Sequence, residues 1–119
     1  ILLVEDDTFF LGMVRKMLKQ FGYKVLATSA PVKAITIASE NYGKIDLLLT
    51  DVIMPEMTGR DLEKKLKVLC PGIKCLFMSG YAGNAATHRG VMEEDVNFIQ
   101  KPFLAQELGI KVREILDRQ

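Results

Sequence analysis

Residues 47–59 read Leu47-Leu48-Leu49-Thr50-Asp51-Val52-Ile53-Met54-Pro55-Glu56-Met57-Thr58-Gly59, an apolar run that stops at a carboxylate. The run is short and bounded, so it predicts a strand buried on both faces. In an open parallel sheet, chemistry lies just beyond the carboxyl ends of the strands, and Asp51 falls at that place. Pro55 cannot continue a ladder and biases Met54 towards an extended shape; Gly59 permits backbone shapes that other residues resist. The stretch therefore presents one acid at the rim of a sheet, followed by a stiff loop. Taken alone, it also fits a buried strand ending in an ordinary helix-capping Asp, and the rest of the chain decides.

Upstream, Ile1-Leu2-Leu3-Val4 is a short apolar run followed at once by Glu5-Asp6-Asp7. Phe10, Val14, Met17, Leu18 and Phe21 then recur at helical spacing, with Asp7 as the cap and Gly22 as the stop. Tyr23 to Thr28 predicts a second strand. Ser29-Ala30-Pro31 opens a helix with the stripe Ala34, Ile35, Ala38, closed by Tyr42-Gly43. Ile45 to Thr50 is the central strand. Downstream, Leu62, Leu66 and Leu69 stripe a helix that stops before Pro71-Gly72. Ile73 to Met78 is a fourth strand, followed by Ser79-Gly80. Tyr81 to Glu94 holds little periodicity and predicts a loop with one short helix beginning near Asn84. Val96 to Gln100 is a fifth strand, ending in Lys101-Pro102-Phe103, and Leu104, Leu108, Val112, Ile115 and Leu116 stripe the last helix. Five alternations predict an α/β fold, a parallel sheet with right-handed crossovers and helices on both faces.

The 119 residues make one domain, 1–119, with no internal linker. The chain begins at Ile1 without Met, which points to a fragment of a longer protein. A net charge of +1 makes no electrostatic case for nucleic acid. Cys70 and Cys75 predict reduced thiols in a cytoplasmic compartment. His88 is the only histidine, so a zinc site is not expected. No run approaches the roughly 20 apolar residues that cross a bilayer, so no membrane contact is expected of this domain.

The residues just past the strand ends are more telling. Glu5 and Asp6 come after the first strand, Asp51 after the third, Ser79 after the fourth and Lys101 after the fifth. In a parallel sheet these tips share one edge. Clustered carboxylates repel, by about 4 kcal/mol per pair at about 4 Å and an effective dielectric near 20. A proton or a cation must relieve that. Oxygen donors without sulfur or imidazole favour a hard ion, Mg²⁺ or Mn²⁺. Lys101 can pair with Asp51 and later meet a phosphoryl oxygen, and Ser79 can donate to another. Such a site suits phosphoryl transfer onto Asp51.

On these residues the chain resembles the receiver domains of two-component response regulators over essentially its full length. The acidic pair Glu5-Asp6, Asp51 within Asp-Val-Ile-Met-Pro-x-x-x-Gly, Ser79-Gly80 and Lys101-Pro102 carry the resemblance together. It implies a flavodoxin-like (CheY-like) doubly wound sheet of order 2-1-3-4-5 with five helices. It implies that Asp51 accepts a phosphoryl group from a phosphohistidine on a histidine kinase or phosphotransfer domain. Mg²⁺ would be held by Asp6, Asp51 and the Ile53 carbonyl, with Glu5 acting through water. Ser79 would be the switch hydroxyl and Phe98 the switch aromatic. Phe77 to Ala82 and Phe98 to Phe103 resemble receivers of hybrid sensor histidine kinases; a stand-alone or DNA-binding-linked regulator is the alternative. The domain would be a phosphoacceptor rather than a turnover enzyme, and it admits a homodimer through the last two strand–helix units.

Plainer readings stand beside these. Glu5 and Asp6 also suit a helix cap, Ser79 a turn, Lys101 a solvated rim and Phe98 the core. Departures from the family pattern are Glu5 for Asp, Phe98 for Tyr, and Leu104 where a capping side chain is common, which predicts a loose start to the last helix. Ile53 and Tyr81, two residues beyond Asp51 and Ser79, are bulky and predict slow loss of phosphate. A Mg²⁺-dependent aspartyl-phosphate phosphatase would carry an acid where Ile53 stands. A flavin site would need a phosphate cradle where Glu5-Asp6-Asp7 repels phosphate.

Overall fold

The computed structural model describes residues 1–80 and 97–118. Their elements run β1 (Leu2–Val4), α1 (Thr8–Gln20), β2 (Leu26–Thr28), α2 (Pro31–Glu40), β3 (Leu47–Asp51), α3 (Gly59–Leu69), β4 (Lys74–Ser79), β5 (Phe98–Gln100) and α4 (Ala105–Leu116). The strands form one parallel sheet in the order β2-β1-β3-β4-β5. The expected helix near Asn84 lies outside the described residues, as do Tyr81, His88 and Val96.

Alternate residues of each strand face opposite layers, as the pleat requires. Leu2, Val4, Leu48, Cys75 and Phe77 pack under α2 and α3, against Ala34, Ala38, Leu62 and Leu66. Leu3, Leu47, Leu49, Leu76 and Met78 pack under α1 and α4, against Val14, Leu18, Leu108 and Val112. Leu47, Leu48 and Leu49 are all fully buried, which is why this strand reads as a continuous apolar run instead of an alternation.

Helix ends obey local chemistry. Asp7 Oδ1 accepts from the N–H groups of Phe9 and Phe10, at 3.0 and 3.1 Å. Thr58 and Asp61 form a reciprocal capping box at the start of α3. Leu104 offers no capping side chain, but the α4 start is not loose: the Glu107 carboxylate accepts the Leu104 N–H at 2.9 Å. Gly22, at φ +91°, carries the turn after α1. The second strand is shorter than expected because Tyr23 N–H turns back to Leu18 O, 3.2 Å away, and closes the end of α1. Gly59 is demanded by space, not by an unusual φ. A β-carbon there would collide with the Asp51 carbonyl oxygen and lie 3.2 Å from the Phe77 ring.

The strand register sets the site. Val4, Thr50, Phe77 and Phe98 lie in one row across the sheet. Glu5 and Asp51 therefore emerge just past that row, Ser79 one step further, and Lys101 beyond it.

Candidate functional site

The four strand tips converge as the sequence predicts. Glu5, Asp6 and Asp51 each offer a carboxylate oxygen, and these oxygens lie within 4.8 Å of one another. The Lys101 ammonium bonds both Glu5 Oε1 and Asp51 Oδ2, the latter at 3.2 Å. Asp51 Oδ1 accepts the Val52 N–H at 2.8 Å, and Glu5 Oε2 accepts the Asp7 N–H at 3.2 Å. Glu5 is fully buried, Asp51 is partly so and Asp6 is exposed. The backbone closes the arrangement: Lys101 N–H donates to Ser79 O at 2.7 Å, and Val52 N–H to Met78 O at 3.2 Å. β4 thus ties the Asp51 loop to the Lys101 loop.

Like charges brought together must be relieved, and Glu5 is the acid that yields. Burial pushes its carboxyl up to about 7; the Lys101 hydrogen bond opposes this, while the Asp51 charge and Asp6 add to it. For Lys101, burial pulls downward, but the Glu5 hydrogen bond and the Asp51 charge outweigh it and the net direction is up. Lys101 therefore stays a cation through the neutral range. The three-carboxylate donor set is all oxygen, which fits a hard divalent cation and offers nothing to a soft one.

Ser79 is fully buried, and its Oγ has no hydrogen-bond partner among the described residues. A buried hydroxyl without a partner calls for an explanation. Phe98 lies half-buried against the cluster under α2 and α3. Ile53, two residues past Asp51, is 52% exposed.

Three features escape sequence reading. The Glu5–Lys101 pair joins residues 96 apart in sequence, and the charge count at the rim was its only signal. The Thr50 hydroxyl bonds the Asp51 carbonyl at 3.1 Å and faces the Met54 sulfur at 3.8 Å, pinning the loop after β3 from inside. Phe10 belongs to the α1 stripe by spacing, yet its ring lies 4.6 Å from the Lys101 ammonium and packs edge-on against Phe103.

This fold and this rim define a class. The response regulator receiver domain family matches residues 1–113, and the chain belongs to it. Among known relatives it is 38% identical to the sensor kinase CckA of Brucella abortus, over all of this chain but 13% of that protein. It is 31% identical to the response regulator receiver protein CpdR of the same organism, over 98% of this chain and 95% of CpdR. The crystal structure of the receiver domain from the hybrid histidine kinase CckA superposes with a TM-score of 0.81 at 32% identity, covering 98% of this chain and 97% of that one. The chain is thus a signal receiver of two-component systems, with a role as phosphoacceptor.

Proposed function

We propose that Asp51 is the phosphoacceptor, taking a phosphoryl group from a phosphohistidine on a histidine kinase or phosphotransfer partner. The observation that carries this is the meeting of Glu5, Asp6 and Asp51 within 4.8 Å under one lysine bonded to two of them. The phosphorus–nitrogen bond breaks as a bond to an Asp51 oxygen forms, and the imidazole leaves. Lys101 then passes its Asp51 hydrogen bond to a phosphoryl oxygen, keeping Glu5 as its second partner. Asp6 and Asp51, with the Ile53 carbonyl, would hold Mg²⁺, or Mn²⁺; Glu5, its oxygens already engaged, would act through a water. The bound ion supplies neutralisation of phosphoryl charge.

Ser79 is the switch hydroxyl in this reading. Its unpartnered Oγ gains an acceptor when a phosphoryl oxygen arrives. Phosphorylation adds about −1.5 to −2 charge, and differential contacts of Ser79 and Lys101 shift a pre-existing equilibrium that Phe98 reports. The likeness to the CckA receiver supports a parent that is a hybrid sensor histidine kinase. The near-complete coverage of CpdR favours a stand-alone regulator as the second reading. The domain is cytoplasmic in this reading; among the described residues no helix is long and apolar enough to cross a membrane. The domain does not bind nucleic acid itself, and any homodimer uses the last two strand–helix units.

Incubation with acetyl phosphate and Mg²⁺, followed by intact mass, tests the assignment. Wild type gains one phosphoryl mass and Asp51→Asn gains none. Equal gain in both would place the acceptor elsewhere.

A further inference from the structure

We infer that Phe10 is a positioning residue for Lys101, holding the ammonium where phosphoryl transfer needs it; this rests on the Asp51 reading above. An ammonium has three N–H donors. Two meet Glu5 and Asp51. The Phe10 ring, whose centroid is 4.6 Å from Nζ, presents its π face to the charge. Phe103, two residues past Lys101, packs edge-on against Phe10 with centroids 5.5 Å apart and rings at 78°. Phe103 is buried, so the ring that contacts the cation is itself backed by the core. Asp7, Phe10, Gly80, Lys101 and Pro102 line a cavity of about 410 Å³ at this place.

The consequence is a division of labour. When Asp51 is esterified, its bond to Lys101 passes to the phosphoryl group. Glu5 and Phe10 do not change, so they hold the ammonium in both states. Without the ring, a long flexible side chain has more positions to search, and the lysine must be recruited during the reaction instead of waiting in place.

The experiment compares wild type, Phe10→Leu and Phe10→Tyr. It reads three things: the rate of labelling by acetyl phosphate, Mg²⁺ affinity by direct titration, and the NMR shift of the Lys101 ε-methylene protons. A ring at this distance moves those protons upfield. Phe10→Leu is expected to label about five- to tenfold more slowly, with its Lys101 shift lost and Mg²⁺ affinity within about twofold of wild type. Phe10→Tyr keeps the π face and restores both rate and shift. The inference is overturned if wild-type Lys101 is unshifted, if Phe10→Leu labels at the wild-type rate, or if Phe10→Tyr is as slow as Phe10→Leu. The wild-type shift decides the contact even where Phe10→Leu does not fold. A wild type that takes no phosphoryl group removes the reaction itself; a labelled wild type with an unslowed Phe10→Leu removes only the role of the ring.

Discussion

The two edges of the sheet carry similar residue types and treat them oppositely. At the amino edge, Lys24, Lys44 and Asp46 are exposed around a cavity of about 490 Å³. Lys74 there is taken up by backbone carbonyls of Leu116 and Arg118 at the end of α4. At the carboxyl edge, Glu5 and Asp51 are drawn inward and compete for one lysine. Solvated charges cost little and do little. Buried like charges store repulsion that an arriving cation can release.

Substitutions at the two edges should behave as differently as the edges themselves. The largest effect belongs to Asp51→Asn, which abolishes labelling by acetyl phosphate. Because it also removes one of the crowded charges, denaturant unfolding should show stability equal to or above wild type. Next comes Gly59→Ala. A β-carbon has no room against the Asp51 carbonyl, so unfolding should report a loss of about 1–3 kcal/mol or more.

Glu5 makes the contrast depend on pH. Its folded value of about 7 lies above its unfolded one, so the folded state binds the extra proton between them. Without metal, the stability tied to Glu5 is full below the unfolded value and is lost as pH rises towards 7. Mg²⁺ favours the charged pocket, so its affinity rises over the same window. Glu5→Gln should flatten both profiles; unchanged slopes would mean another group titrates.

A smaller, kinetic effect is expected beside Asp51. Ile53 stands half-exposed there, and Ile53→Asn should speed loss of phosphate severalfold by admitting water. Chasing the labelled protein by intact mass reads this directly. The smallest effect is at the amino edge: Lys44→Gln should leave labelling unchanged and stability within about 0.5 kcal/mol.

The parallel sheet and the rim acids were legible because they rest on chain-local signals: apolar runs ending in carboxylates, and turns at Gly22 and Pro71-Gly72. Other features were not, because they depend on which tips meet. Phe10 reads as one more apolar residue at helical spacing, and only the approach of the β5 end reveals the cation over its ring. Gly59 reads as a flexible turn residue, and only the packing of α3 against β3 shows that the constraint is volume. The Glu107 bond that caps α4 was open to a sequence reading, since it lies three residues after Leu104.

One particular carboxylate among the crowded acids, Asp51, becomes the acyl phosphate. Reducing the labelled chain with borohydride converts an aspartyl phosphate to homoserine, and peptide sequencing by mass spectrometry then locates it. Homoserine is expected at position 51 alone, dependent on Mg²⁺. Reduction at Glu5 or Asp6, or none in a chain labelled elsewhere, would contradict it.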